Sequence, residues 1–216
     1  HDFQFMVEQD LAFASYIPYY FKKWIEQIDT NVLPLVSKRI INNTCKILNF
    51  NYTDTLERAY KVPAENILYI HGKALSSKKL VVGHHDISTF QYGAVSPFNA
   101  AEEHGIYIQD DDEDFRITEV KESHKAYFQK TYKDTFGIIQ MNQNFFDSLI
   151  NINEIFILGH SLSSVDMDYF VEIRKRVLHS CKWYISYFSE SDLDNMEYFA
   201  KRLDIKNFQP VMLSNL

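Results

Sequence analysis

Apolar positions near the start of the chain recur at three- and four-residue intervals: Phe5, Val7, Leu11, Phe13 and Ile17, then Phe21, Trp24, Ile25 and Ile28. That period predicts an all-helical opening over residues 1–43. From Cys45 the pattern changes to short apolar runs bounded by polar turns, over 45–50, 67–70, 80–83, 155–158, 183–188 and 208–213. Most of these runs are too short for independent helices and read as strands, several of them buried on both faces. Helical spacing returns between them, over 53–60, 121–149, 165–178 and 191–203. Strand and helix alternate over 155–213, as expected of a parallel sheet built from βαβ units. The expected fold class is therefore α/β, a mostly parallel sheet flanked by helices with a helical N-terminal segment. The expected organisation is one domain over 1–216, with 1–43 helical and 44–216 the sheet-containing core. Residues 88–115 have no clear period and read as either a lid or a flexible excursion.

Composition narrows the classes. With 216 residues and 46% hydrophobic content, the chain can bury one substantial core. Its 17 Phe and 14 Tyr against 6 Gly and 5 Pro make large rings the main packing material. A formal charge of -7 argues against a general nucleic-acid binder, because affinity for phosphate backbones rests on Lys and Arg clusters. The acidic run over 110–114 reads as a solvated loop. Cys45 and Cys181 are far apart and offer no zinc module or disulfide framework, which fits a reducing cytoplasm. No run reaches the roughly 18 apolar residues of a membrane helix, and no basic-then-apolar leader opens the chain. Aromatic side chains able to lie at the surface permit self-association into a homo-oligomer.

Three chemistries compete for the polar residues. The turn Gly159-His160-Ser161-Leu162-Ser163 is one substitution from a serine-hydrolase nucleophile elbow. The only later histidine, His179, falls near the end of the helix that the turn starts, roughly 25 Å away at 1.5 Å per residue, too far to exchange a proton with Ser161. A metal reading would use His84, His85 and Asp86 with His71 upstream; adjacent strand residues face opposite ways unless a turn after Gly83 relieves that, ligation still needs three or more convergent ligands, and loop histidines that simply hydrogen-bond are the plainer reading, so no metal is expected. The third reading joins three strand ends: Asn49 to Glu57 after the first, Tyr69-Ile70-His71-Gly72 after the second, and Gly159-His160-Ser161 after a later one. Carboxyl ends of parallel strands share one edge of a sheet, so an amide, an imidazole and a hydroxyl would converge there. Asn51 can hold a ribose hydroxyl or a water, and His71 can serve as a base. The plainer alternative is that Asn51 and Thr53 cap a helix and that His71-Gly72 is a turn.

The blocks Asn49-Phe50-Asn51-Tyr52-Thr53-Asp54-Thr55-Leu56-Glu57, Ile70-His71-Gly72, Val82-Gly83-His84 and Ile157-Leu158-Gly159-His160-Ser161-Leu162, leading to Asp166 and then Tyr169-Phe170, resemble the bacteriophage abortive-infection AbiH family. More distantly they resemble sirtuin-like, NAD-consuming defence domains, which have an Asn-Tyr-Asp, a His-Gly and a Gly-x-Ser block in the same order. The resemblance implies a Rossmann-like, sirtuin-related sheet and a bacterial anti-phage role in the cytoplasm. It makes NAD the implied substrate or ligand, with Asn51 and His71 as catalytic residues. Asn51, Tyr52, Thr53, Gly72, Gly159, His160, Ser161 and Asp166 are the implied nucleotide-binding residues. Thr53 stands where the sirtuin-like pattern has aspartate, with Asp54 and Glu57 as the nearest substitutes. Both families place a glycine-rich loop near their start, and a strand carrying that loop is expected upstream of His1. Two activities stay open: hydrolysis of NAD at the nicotinamide-ribose bond, or a non-catalytic module that senses a nucleotide or a phage component. A phage protein is the implied trigger, and membranes are not expected partners.

Overall fold

A computed structural model describes residues 5, 9, 11–13, 15–34, 36–37, 39–84, 125, 129 and 131–215. The expected excursion at 88–115, the acidic run, His85 and Asp86 lie outside them. The chain forms two compact units, one of His1–Trp24 with Val81–Lys133, the other of Ile25–Leu80 with Asp134–Leu216.

Helix α1 (Ile17–Ile25), which belongs to the first unit up to Trp24, leaves Tyr19, Tyr20 and Trp24 exposed. The run at 80–83 forms no strand. It is followed by a single parallel bridge between His84 and Tyr132, in which the Lys133 N–H donates to the His84 carbonyl at 2.8 Å.

The second unit is α/β, with two small parallel sheets. Strands β1 (Ile47–Asn49) and β2 (Ile67–Tyr69) pair in register around helix α2 (Thr55–Tyr60). Strands β3 (Glu154–Ile157), β4 (Lys182–Tyr187) and β5 (Phe208–Met212) form a parallel sheet in that order, linked by α5 (Met167–Arg176) and α6 (Ser191–Arg202). Central β4 buries Trp183, Ile185 and Ser186, as a strand covered on both faces does. Pro210 is confined to edge strand β5, where a missing N–H costs no ladder bond on the open side. Phe170 and Phe199 meet edge to face at 5.1 Å, and Trp183 lies 6.5 Å from Phe199, joining both linking helices to the sheet.

Two helical expectations are corrected. The opening does not stay helical to residue 43: beyond Ile25 the described chain is turns and irregular backbone. Pro34 lacks a donor there, and the Asp29 and Asn42 carboxylate and amide oxygens take the N–H groups of Asn31 and Thr44, an alternative to helical bonding. The expected helix over 121–149 is interrupted as well. Asp134 starts α3 (Thr135–Met141) by accepting the Gly137 N–H at 2.9 Å, and Asn142 separates it from α4 (Gln143–Asp147) by donating to the Ile138 carbonyl.

Between β1 and α2 lies a buried carboxylate. Asp54 accepts from Thr30 Oγ1 and Arg58 Nε, each at 2.7 Å. Burial alone would raise its pKa, but these two hydrogen bonds and the charges of Arg58 and Lys73 hold it below the usual carboxylate range. Its contribution to stability is therefore complete above the unfolded value of about 3.9 and is lost as pH falls through the lower folded value. Arg58 is more than half exposed, so the buried Thr30 bond is the better protected of the two. Asp54→Asn is expected to cost about 1–3 kcal/mol at neutral pH and to flatten the acid side of the stability profile. Urea midpoints between pH 7 and 3 read this out; parallel losses in wild type and variant would refute it.

Candidate functional site

Phe50 follows β1 and His71 lies two residues past β2, so the in-register pair delivers both to one edge. After β3, Gly159 turns with φ +62, and its N–H donates to Ser186 Oγ on β4 at 2.8 Å. Leu162 then adopts φ 56, a left-handed conformation costing a branched side chain roughly 1–2 kcal/mol. In that conformation its N–H donates to His160 Nδ1 at 2.9 Å. An accepting Nδ1 leaves the proton of the neutral ring on Nε2. Ser163 caps the short helical turn Ser164–Asp166, at whose end Asp166 stands.

The Asp166 carboxylate lies between two imidazoles, with Oδ2 3.4 Å from His160 Nε2 and Oδ1 3.3 Å from His71 Nε2. All three side chains are at most 15% exposed. The His71 approach has ion-pair distance but not hydrogen-bond direction, so Nε2 is buried without a well-aimed acceptor. Phe50 joins the group, its ring 4.5 Å from His160 and 5.6 Å from His71, and stacks on Phe170 at 5.5 Å. Apolar walls lower the local dielectric and lengthen the reach of the carboxylate's charge. The hydroxyls of Tyr52 and Tyr169 register this: burial, and then the charge of Asp166, push both upward in pKa.

The residues expected from sequence separate into groups. His71, His160 and Asp166 come together, with the Tyr52 ring 6.1 Å from His71. Asn51 is exposed, its N–H tied to Asn49 Oδ1, and no hydrogen bond links it to His71 among the described residues. Thr53 meets Thr55 hydroxyl to hydroxyl at 3.0 Å, and neither Asn51 nor Thr53 caps α2. Gly72 has φ +87 in a turn closed onto the Tyr69 carbonyl, a conformation that favours glycine. The nearby carboxylates are already engaged, Asp54 as above and Glu57 by Lys73 at 2.9 Å and Tyr69 at 2.5 Å. Ser161 is exposed, and His179 contacts Arg174 at the far end of α5, which leaves the nucleophile reading without support. Among the described residues no group of three His, Cys, Asp or Glu side chains is arranged to hold a metal ion.

An open cleft of about 240 Å³, lined in part by His160, lies at the carboxyl ends of β3 to β5. Gly159, His160 and Ser161 line it together with Phe188, Asp192 and Asn195. The last three were not anticipated. Asp192 opens a helical pattern and reads as an ordinary first-turn acid; only the return of β4 beside β3 brings it to the site.

A family model described as bacteriophage abortive infection AbiH matches residues 1–187. The chain belongs to the AbiH family. Membership implies a role in abortive-infection defence against phage. Neither a curated protein nor a solved structure matches this AbiH protein. The matched stretch takes in β1 to β4 with Phe50, His71, His160 and Asp166, while Phe188, Asp192 and Asn195 lie beyond it. Among the described residues, no helix of the AbiH chain is long and apolar enough to cross a membrane.

Proposed function

We propose that this AbiH protein hydrolyses NAD at the nicotinamide-ribose bond once a phage component triggers it, in the bacterial cytoplasm and as a homo-oligomer. The observation that carries the reading is the Asp166 carboxylate set between His71 and His160 at the carboxyl edge of parallel strands, where nucleotides are commonly held. Asp166 draws the proton of His71 to Nε2 and leaves Nδ1 as the basic nitrogen. That nitrogen takes a proton from water as the water oxygen bonds to the ribose carbon and the bond to nicotinamide breaks. Nicotinamide leaves as the neutral base, ADP-ribose is the other product, and the proton passes to solvent. Asp166 stabilises the imidazolium formed meanwhile. Asn51, exposed just past β1, is assigned to orienting the water or the ribose, and Tyr52, Thr53, Gly72, Gly159 and Ser161 to lining the ligand. Nicotinamide release by the full-length protein is expected to fall at least a hundredfold in His71→Ala and more than tenfold in Asn51→Ala. Equal rates in wild type and both variants would overturn the assignment.

A nucleotide-sensing module is the second reading. It is favoured by Thr53 at the aspartate position of the sirtuin-like pattern, together with Asp54 and Glu57 being held in ion pairs. Tight calorimetric binding of NAD or ADP-ribose with no nicotinamide release would select it.

A further inference from the structure

Resting on the nucleotide reading above, we infer that the cleft beyond His160 is a ribonucleoside subsite, in which Phe188 stacks on the base while Asp192 and Asn195 hold the ribose diol. Its volume of about 240 Å³ is below the roughly 300–1,000 Å³ of pockets that enclose a drug-sized ligand, so it suits one end of a dinucleotide. The charge pattern selects which end. No Lys or Arg lines the cleft, and its one carboxylate, Asp192, repels phosphate.

The amides leading into α6, which could otherwise receive an anion, are occupied. Asp192 Oδ2 accepts from the N–H groups of Phe188 at 3.0 Å and Ser189 at 2.9 Å, and the Asp192 and Leu193 N–H groups donate to the Ser189 and Glu190 carbonyls. These bonds hold the Asp192 carboxyl below its ordinary pKa, so it is ionised at neutral pH. They all use Oδ2. Among the described residues Oδ1 has no donor, and it can accept two hydroxyl protons. Asn195 lies three residues further on the same face of α6, where its amide can reach the same diol. The Phe188 ring is 85% exposed beside these groups, a costly arrangement in water and a ready platform for a planar base.

The test uses full-length protein with adenosine and 2′-deoxyadenosine as calorimetric probes. Adenosine is expected to bind, to compete with NAD, and to bind roughly tenfold more tightly than the deoxy form, which lacks one diol hydroxyl. Phe188→Ala is expected to weaken both probes about tenfold. Asn195→Ala and Asp192→Ala are expected to remove the preference for the ribo form. Because Asp192 also ties the start of α6, Asn195→Ala serves as the variant that leaves those bonds intact. Adenosine binding that is unchanged in Phe188→Ala and Asn195→Ala, or no adenosine binding while NAD is still hydrolysed, would overturn the subsite. Adenosine binding with these variant effects but without NAD hydrolysis would leave the subsite standing and refute the catalytic reading.

Discussion

Asp166→Asn is expected to reduce nicotinamide release by about 10²- to 10⁴-fold, although asparagine matches aspartate in shape. The loss follows from the histidine tautomers. Wild-type Asp166 sets an oxygen 3.4 Å from His160 Nε2 and 3.3 Å from His71 Nε2, and its negative charge favours the proton on Nε2 of both rings even though the His71 approach lacks hydrogen-bond direction. Asparagine offers one oxygen and one NH2 group. His160 cannot adapt, because its Nδ1 already accepts the Leu162 N–H and its Nε2 must remain a donor. The asparagine oxygen therefore turns to His160 and the NH2 to His71. His71 Nε2 becomes an acceptor, the ring proton moves to Nδ1, and the nitrogen that should take the water proton is blocked. Nitrogen-15 NMR of labelled histidine reads the tautomer directly, independently of turnover. A His71 ring that keeps its Nε2 proton in the variant, or a rate within threefold of wild type, would refute the relay.

Phe199→Ala is expected to have the largest effect on stability, about 3–5 kcal/mol. Phe199 is fully buried on α6, edge to face with Phe170 of α5 and beside Trp183 of β4, so its removal opens a cavity where both linking helices meet the central strand. Against a typical domain stability of about 5–15 kcal/mol, that loss is a large fraction of the total. Urea denaturation followed by far-UV circular dichroism measures it; a loss under about 1 kcal/mol would show that the ring's neighbours collapse into the gap. Phe170 also stacks on Phe50, so the same change is expected to loosen the support of both histidines.

The sequence by itself determined the local parts. Short apolar runs marked the places of β1 to β5, because an extended segment of three to six residues needs only a short apolar run to pack, and 191–203 anticipated α6 to within a residue. The positions of His71, His160 and Asp166 after strands or at the start of a helix were also legible, but the single sheet expected to carry all three strand ends is two separate sheets, β1–β2 and β3–β4–β5. The sequence misled where polar side chains compete with the helix: around Asp29, Asp134 and Asn142 the apolar spacing continues, but the side chains bond to the backbone and divide the run. Only the tertiary structure decided which residues meet. Residues 71, 160 and 166 are joined by distances of 3.3 and 3.4 Å that no spacing along the chain encodes. Leu162 shows no sign in sequence of the left-handed conformation that fixes the tautomer of His160, and Asp192 none that its Oδ2 takes the N–H groups of Phe188 and Ser189. Periodicity records which way each residue faces within its own element; the chemistry depends on what the other elements bring to that face.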